Sequence, residues 1–430
     1  MHQRRKLGKW LFSGLLLSGL SVTGQAASLE DFLQQIATAH PRVIAAAENA
    51  GMSAALVDAA KAAWRPQVSA NSTLGKSYSS YYSGASNGIR PGVMASQLLF
   101  DGGRSDHNID ARQFDAKASD AQRFELQQNL SARVVDAYLE WHRQGVLLKL
   151  ADEQLFALGR FEKMVGDIAN FDKGRVADLK LVKTRVAQVA SAREARAVAM
   201  RDAVLQLQQI CACQLEPNQA PGKLADLLPA PASGQLDALI QSHPSIVAAN
   251  ARKDSARADA AAAAAWWKPS VQLQASSQTE PSYTGNSHYF GLNTVGLNIQ
   301  ASIFDGNTGR AKAQAANAQL NSAESLASAA RIELESELRR QAMLIEQHQR
   351  RLQTLNALVG ETDQAFNIVL DQFKLGRRTV IELLSYESER FAARAQVVSE
   401  EIDLEQARGR WLAAAGVLTE RLSRRGQGNG

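Results

Sequence analysis

Long apolar runs are absent from this 430-residue sequence beyond its first two dozen positions. The longest later run, at 260–267, is far shorter than the roughly 20 residues that a membrane-spanning helix requires. An internal helical anchor is therefore excluded. Beyond the N-terminal region, the chain is either water-soluble or enters a membrane as a closed β-barrel, because lipid does not tolerate unpaired backbone groups.

The motifs of common catalytic sites are also absent. The sequence contains no His-Glu-x-x-His, no Gly-x-Ser-x-Gly, no phosphate-binding loop and no dinucleotide-binding fingerprint. His40 and His243 each precede a proline, and a structural role at a helix start is simpler than a catalytic one. We predict no enzyme activity, no catalytic residues and no cofactor.

Cysteine is scarce. Cys211 and Cys213 are the only two, and a single residue separates them. No further Cys or His lies nearby at the spacing of metal ligands, so we predict no metal site. A disulfide between positions i and i+2 is strained, which favours simple packing near a helix end. An oxidising compartment leaves the bond open as an alternative.

The N-terminal region has the pattern of a secretory signal peptide at 1–26. Four basic residues precede an apolar run at 10–20, and a small-x-small cleavage site follows. The run is too short for a transmembrane anchor, and it contains no cysteine for lipid modification. Removal of this segment lowers the net charge from +5 to about +1, so we expect no nucleic acid partner. A basic flexible tail is expected at 421–430.

The rest of the chain is an internal repeat with a period of about 203 residues. Three landmarks recur in the same order in both copies, which indicates duplication. They are His40-Pro41 with His243-Pro244, Phe100-Asp101-Gly102 with Phe304-Asp305-Gly306, and Gly174-Arg175 with Gly376-Arg377. We place the first structural repeat at 27–215, a linker at 216–234 and the second repeat at 235–420.

Each copy is predicted to form a helix, two strands and two long helices. The first helices, at 29–63 and 236–266, end before Pro66 and Pro269, since proline lacks the backbone N–H that a helix needs. The strands are predicted at about 66–78 and 91–100 in the first copy, and at 269–279 and 289–304 in the second.

The predicted strands alternate between apolar and polar residues, as in Val295, Leu297 and Ile299 against Asn298 and Gln300. Aromatic residues cluster at the strand ends, namely Tyr78, Tyr81, Tyr82, Phe100, Tyr283, Tyr289 and Phe304. This pattern is typical of a membrane β-barrel. A soluble β-sandwich is the alternative, but it needs more than four strands. Four strands cannot close a pore, so several copies of the chain must share one barrel.

Residues 105–170 and 307–372 contain no proline and little glycine, and a helix of that length spans on the order of 100 Å. Apolar residues recur at every seventh position, which indicates coiled-coil pairing. They include Val134, Trp141, Leu148 and Leu155, and then Leu338, Ile345, Leu352, Val359, Phe366 and Phe373. Each copy is therefore predicted to form a helical hairpin, at about 103–215 and 306–420, with its tip at 171–177 or 373–379.

These features resemble the TolC family of outer-membrane channel-tunnels over about 28–420. The resemblance rests on the duplicated plan, the His-Pro and Trp-x-Pro motifs, the Phe-Asp-Gly starts and the Gly-Arg tips. It implies a mainly α fold with a membrane β-barrel. The family architecture is a homotrimer with a twelve-stranded barrel in the outer membrane and a twelve-helix tunnel across the periplasm. Its equatorial band would include the linker.

The resemblance also implies partners. Family members dock onto a periplasmic adaptor and an inner-membrane transporter of the ABC or RND type. The hairpin tips, with Gly174, Arg175, Gly376 and Arg377, would meet the adaptor. The absence of a lipidation cysteine resembles the branch that serves type I protein secretion, and multidrug efflux with an RND pump is the alternative.

By the same resemblance, Arg378 and Glu382 match a constricting arginine and the first acidic ring of a periplasmic gate. Ser385 occupies the position of a second acidic ring, and Phe373 stands where a tyrosine often makes a gating hydrogen bond. Asp178 matches the acidic partner in the first copy. With one acidic ring missing, cation selectivity would be weaker. The alternative is that these charges are solvated groups in the first turn of a helix, where acids favour the helix dipole.

Two other classes of protein fit less well. A structural coiled-coil protein of the periplasm or cell surface would show the seven-residue stripes, but it has no need of two duplicated amphipathic strand pairs. A periplasmic adaptor would show one helical hairpin flanked by compact β domains, whereas this sequence predicts two equivalent hairpins.

Overall fold

A computed structural model describes residues 29–78, 85–215, 236–281 and 289–420 of the chain. The signal peptide predicted at 1–26, the linker at 216–234 and the tail at 421–430 lie outside the described residues. The same is true of Tyr81, Tyr82 and Tyr283 from the predicted set of aromatic residues.

The order helix, helix, strand, strand, helix, helix occurs twice along the described chain, and the fold is mainly helical. The first copy comprises α1 (Leu29–Ala39), α2 (Pro41–Lys61), β1 (Gln67–Tyr78), β2 (Ala85–Phe100), α3 (Arg104–Phe171) and α4 (Val176–Cys211). The second comprises α5 (Leu236–Ser242), α6 (Pro244–Ala264), β3 (Ser270–Pro281), β4 (Tyr289–Gln300), α7 (Thr308–Lys374) and α8 (Val380–Ala414).

The helices predicted at 29–63 and 236–266 are each interrupted, and this corrects the prediction. His40 and His243 are extended, and each lies immediately before the proline that begins the longer helix. The His40 Nδ1 atom accepts a hydrogen bond from the backbone N–H of Arg42 at 3.1 Å, and His243 Nδ1 accepts one from Ser245 at 3.2 Å. The imidazole thus acts as a helix N-cap, and proline fits the first helical position because its missing N–H would have no partner there.

The four strands form one antiparallel sheet in the order β1-β2-β3-β4. β2 begins at Ala85, earlier than predicted, because its ladder with β1 continues to the pair Tyr78↔Ala85. β4 ends at Gln300, earlier than the predicted 304, since its partner strand begins at Ser270, just after a proline. The exposed side chains of Ile303 and Phe304 therefore follow the strand.

The long helices pack as two antiparallel hairpins, α3 with α4 and α7 with α8, while α6 lies between α3 and α7. Two apolar cores hold them together. The larger core includes Tyr138, Trp141, Leu207, Ile402 and Leu412. A second core beneath the hairpin tips, which we call the tip core, comprises Leu158, Phe161, Val165, Val182, Val189, Phe366, Val369, Phe373, Val380 and Leu383.

The predicted seven-residue stripes agree with burial only in part. Val134, Trp141, Leu338 and Ile345 are buried. In the middle of the helices, buried positions such as Leu158 and Leu355 lie off the stripe, whereas Leu148, Leu155 and Val359 are half-buried. The stripe is buried again at Phe366 and Phe373, in the tip core. A straight α-helix has 3.6 residues per turn, so a strict period of seven drifts around its axis.

The Phe-Asp-Gly motifs begin the two long helices. The Asp101 carboxylate accepts hydrogen bonds from the backbone N–H groups of Gly103, at 3.1 Å, and Ser105, at 2.8 Å. Asp305 accepts one from Gly309 in the second copy at 2.6 Å. An aspartate in this position satisfies N–H groups that have no partner within the helix, and its charge favours the helix dipole.

Gly309, at the start of α7, lies against the indole ring of Trp266, and a Cβ atom placed there would overlap the ring. We expect Gly309→Ala to destabilise the junction between sheet and helix by roughly 1–3 kcal/mol, as overpacking typically does. Thermal unfolding followed by circular dichroism in detergent measures the effect. Gly360→Ala in the same helix is the matched control, because Gly360 has no atom within 4 Å of such a Cβ. That variant should unfold at an unchanged or higher temperature, and equal losses in both would contradict the contact.

Candidate functional site

The two hairpin tips lie over the tip core, which contains residues from both hairpins. At the first tip, α3 ends at Phe171 and a short turn at 173–175 leads into α4. The Asp172 carboxylate accepts a hydrogen bond from the backbone N–H of Gly174 at 2.9 Å and so shapes the turn. Gly174 does not have a positive φ.

The second tip turns in a different way. Gly376 has a φ of 73°, which is the left-handed conformation that glycine adopts without steric cost. The backbone N–H of Gly376 donates to the Phe373 carbonyl and that of Arg377 to the Gln372 carbonyl, both at 2.9 Å. These bonds close the end of α7 as in a Schellman motif. The Gly-Arg pairs of the two copies are thus similar in sequence but play different structural parts.

Thr379 and Glu382 begin α8 with a capping box. The backbone N–H of Glu382 donates to Thr379 Oγ1 at 3.3 Å, and that of Thr379 donates to Glu382 Oε2 at 2.9 Å. Arg378 adds a bond from its guanidinium to Glu382 Oε1 at 2.7 Å. The Thr379 backbone N–H and the Arg378 guanidinium lower the pKa of Glu382 to about 2. The carboxylate is therefore charged throughout the neutral and mildly acidic range.

The charged residues singled out in the sequence pair within their own tips. Asp178 lies 3.0 Å from Arg175 in the first copy, and Arg378 bonds Glu382 and Gln372 in the second. Within the described part of the chain, no ion pair joins Asp178 to Arg378. This geometry supports a role for these charges in stabilising the helix starts, and their role in a gate remains a prediction.

The other predicted gate residues differ in exposure. Phe373 is buried in the tip core, where its ring contributes to packing and has no hydroxyl to donate. Ser385 is exposed on α8. Sequence reasoning overlooked Phe171, which is 95% exposed, together with Leu375 and Ile381. The available signal was the presence of apolar residues at or near the predicted hairpin turns, because a turn at the end of two paired helices offers little surface on which to bury such side chains.

The sheet presents a second candidate site. One of its faces is apolar across all four strands, since the register aligns Val68 with Ala95, Ala95 with Ala275 and Ala275 with Val295. The opposite face carries mainly Ser, Thr, Asn and Gln. Much of the apolar face is exposed, including Val68, Leu74, Ile89, Val93, Val295, Leu297 and Ile299. Among the described strands, β1 and β4 each have a neighbour on one side only.

No helix within 29–78, 85–215, 236–281 and 289–420 is both long enough and apolar enough to cross a lipid bilayer.

Comparison with known proteins then decides the family. Residues 32–210 and 236–417 match the family described as outer membrane efflux protein. The chain belongs to this family. Its two matched segments coincide with the two copies of the fold. The family resemblance seen in the sequence is confirmed. Members of this family are outer-membrane efflux channels, and this is the general function of the chain.

Individual members of the family agree. The outer membrane efflux protein BepC of Brucella suis biovar 1 (strain 1330) is 24% identical over 432 residues, which cover 95% of this chain and 90% of that protein. The outer-membrane channel OprN superposes with a TM-score of 0.80 at 20% identity, covering 90% of this chain and 89% of that one. For the open state of the Neisseria gonorrhoeae MtrE outer membrane channel the TM-score is 0.76 at 18% identity, with coverage of 90% and 88%. At these identities the superpositions show a shared fold.

Two further clusters lie in this efflux protein. Cys211 and Cys213 form a disulfide at the end of α4, which corrects the expectation of simple packing. Ala212 between them has a positive φ of 53° and ends the helix, and the Cα atoms of the two cysteines come within 5.2 Å. A helical i, i+2 spacing would turn the two side chains apart, so the helix end makes the bond possible.

His348, Glu400 and Asp403 bring three potential metal-ligand atoms within 4.8 Å of one another. Sequence reasoning missed this cluster because its members come from α7 and α8. Each carboxylate already has a cation beside it. Arg351 lies 3.3 Å from Glu400, and Arg143 lies 2.6 Å from Asp403. This arrangement is that of an ion-pair network between helices.

The capping box predicts a local effect at the start of α8. We expect Thr379→Ala to cost about 0.5–2 kcal/mol of local stability, seen as faster hydrogen exchange of the first amides of the helix. Because the Glu382 pKa is depressed, its contribution is complete above its ordinary value of 4.5 and is lost only as pH falls through about 2. The variant should therefore differ from wild type equally at pH 7 and pH 5.

Thr362→Ala in the middle of α7 is the control, since the Thr362 hydroxyl bonds only carbonyls of its own helix. Its exchange should stay as in wild type. Unchanged exchange at the start of α8 in Thr379→Ala would show that the box does not stabilise this helix.

Proposed function

We propose that the chain is one protomer of a homotrimeric channel-tunnel in the outer membrane, which passively conducts cargo delivered by an inner-membrane pump. In this assembly three four-stranded sheets form a twelve-stranded barrel, and twelve long helices form a tunnel through the periplasm. A periplasmic adaptor contacts the hairpin tips. Family membership supports the efflux role, and the open sheet supports the assembly.

The observation that carries this proposal is the combination of an exposed apolar face with two open edges. Val295, Leu297 and Ile299 on β4 are between 62% and 79% exposed. Water disfavours such a face, whereas lipid accepts it. Lipid in turn disfavours unpaired backbone groups at the edges. Pairing β4 of one protomer with β1 of the next satisfies both conditions, and three copies bring twelve strands, an even number typical of bacterial barrels.

We expect protein extracted from outer membranes with mild detergent to run as a trimer on semi-native gels and to dissociate on heating. Barrel formation from shared strands requires this state, because a protomer alone leaves both edges open. Gel mobility before and after heating, together with light scattering in detergent, measures it. Replacement of Val295 with Pro, which removes a backbone donor from the edge strand, should abolish the trimer. A water-soluble monomer from wild-type cells would rule out the barrel.

The periplasmic entrance of the proposed tunnel would lie at the hairpin tips. Arg378, Glu382 and Asp178 would supply its charged ring, with Ser385 in place of a second acidic position and Phe373 packed beneath it. A ring of charge at a narrow mouth selects ions by sign. The position of Arg378 and Glu382 at the exposed surface of the tip supports this proposal, because a charged ring needs groups that are not enclosed in a core.

Neutralising the ring should change ion preference. Glu382→Gln keeps a side-chain oxygen for the capping box and removes the charge, so we expect a lower cation preference with a normal trimer. Arg378→Ala should increase conductance by less than about tenfold, because exposed ion pairs are weak. Single-channel recordings and reversal potentials in planar bilayers measure both effects. Glu389→Gln, at an exposed position on the same helix, is the control. If neither variant differs from that control, the residues serve only as helix-start charges.

For the cargo, we propose a protein exported by a type I system, with an ABC transporter at the inner membrane. The absence of a cysteine in residues 1–26 supports this branch. The efflux name of the relative from Brucella suis favours the second candidate, drug efflux with an RND pump. Deletion of the gene separates the two, since loss of a large secreted protein indicates the first and drug hypersensitivity the second.

A further inference from the structure

A buried carboxyl group lies where the two hairpins of one protomer meet. Glu387 of α8 is 0% exposed, although it lies only one helical turn from Leu383 of the tip core. By hydrogen-bond distance and angle, neither carboxyl oxygen has a partner among the described residues, and the Gln154 amide and the Ser388 hydroxyl approach the group without meeting that geometry. A fully buried acid with so little hydrogen bonding calls for an explanation, because buried polar groups nearly always have a partner.

Polar groups from three of the long helices face this acid. They are Gln154 of α3, Arg185 of α4, and Ser388 and Arg390 of α8, the helix that carries Glu387 itself. Arg390 is already bound to Asp363 of α7 at 2.6 Å. The Ser388 hydroxyl also has a second acceptor, the Leu384 carbonyl at 2.7 Å.

Arg185 is the group that can change partners. It crosses from α4 to α8 and donates a hydrogen bond to the Ser388 hydroxyl, while its Nε atom is buried and has no partner among the described residues. A guanidinium binds a carboxylate in a two-pronged geometry better than it binds a hydroxyl. The packed junction therefore contains a half-buried cation bonded to a serine, beside a fully buried acid that this cation does not bond.

The protonation state of Glu387 explains this arrangement. Burial raises the pKa of Glu387 above its usual value, and hydrogen bonding by Gln154 and Ser388, together with the charges of Arg185 and Arg390, only partly opposes that rise. Burial costs a neutral carboxyl group much less free energy than it costs a carboxylate. If α4 and α8 move apart, water reaches the group and the ionised form becomes favourable.

We propose that Glu387 is a proton-dependent latch between the two hairpins, neutral while α4 and α8 are packed and ionised, with Arg185 as its partner, once they separate. The inference rests on the proposed function and adds to it that the entrance opens when the two hairpins of a protomer move apart. It adds a control point inside the hairpin junction, about two turns from the charged residues of the tip.

The direction of the pH effect follows from linkage. The packed state binds the Glu387 proton more tightly than the separated state does, so acid favours packing. That preference declines as pH rises from the pKa of the separated state to the higher pKa of the packed state. Within this interval the ratio of separated to packed junctions rises by at most about tenfold per pH unit and per protomer. Outside it, the ratio is constant.

Planar-bilayer recordings of the purified trimer between pH 5 and pH 8 test the latch. The open occupancy of wild type should rise with pH. Glu387→Gln, which is permanently neutral and of equal size, should give a low occupancy that is independent of pH. Glu389→Gln, two residues away and exposed, should keep the wild-type profile. Trimer formation on semi-native gels shows whether each variant assembles.

A second variant keeps the test decisive if Glu387→Gln does not assemble. Arg185→Gln removes a cation that favours the ionised acid, so the midpoint of opening should move to higher pH. An unchanged midpoint, or a Glu387→Gln trimer with the wild-type pH profile, would overturn the latch. Wild-type currents without pH dependence would overturn the latch but not the proposed function. Wild-type trimers that carry no current would overturn both.

Discussion

Edge pairing is the constraint on which the rest of this structure depends. A sheet with free β1 and β4 edges carries rows of N–H and C=O groups that have no strand partner among the described residues of the protomer. The apolar face of the sheet continues through the register of all four strands. Contact of such a face with water is unfavourable. Soluble proteins protect edges with short strands, prolines or charges, and few such devices occur on β4. The open sheet is therefore the observation on which the proposed shared barrel rests.

The helices then follow from the need to hold the sheet and the tips at fixed positions. The 68-residue α3 and the 67-residue α7 each span about 100 Å, so small errors in their starting angle would displace the tips greatly. Both helix starts are accordingly fixed by an aspartate, at Asp101 and Asp305. Gly309 adds close packing against Trp266 at one of them. Stiffness comes from the apolar cores between helices, since isolated helices of this composition gain little from propensity alone.

Much of this fold was predictable from the sequence, and the failures have physical causes. The positions of proline and glycine predicted where the strands and the tips lie, because these residues favour breaks between helices and strands. The same proline signal was misjudged at Pro41 and Pro244, where a preceding histidine caps a new helix within the predicted one. The disulfide was only the second alternative in the sequence, because nothing there shows that Ala212 is left-handed and brings Cys211 and Cys213 together. Alanine rarely adopts that conformation.

The candidate site was less predictable than the fold. The family resemblance singled out Glu382 and Arg378 as gate residues, whereas the structure pairs them with each other within one tip. The sequence could not reveal that groups from α3 and α4 face Glu387, since Arg185 lies some two hundred positions away in the other copy. Contacts between the copies depend on how the hairpins pack. An internal repeat shows which residues are equivalent in the two copies, but it does not show which residues are in contact.

Duplication also explains why the two tips can have different tasks. The copies share an ancestor plan, yet the first tip turns through an Asp172 side-chain bond and the second through a left-handed Gly376. The second tip also has a complete capping box, which the first lacks in its described geometry. In the proposed latch, a rigid start for α8 carries motion of the tip along the helix, toward the junction where Arg185 meets Ser388. The more firmly capped hairpin is thus suited to move as one body against the other, and the buried polar groups between them are where such a movement would be resisted or released.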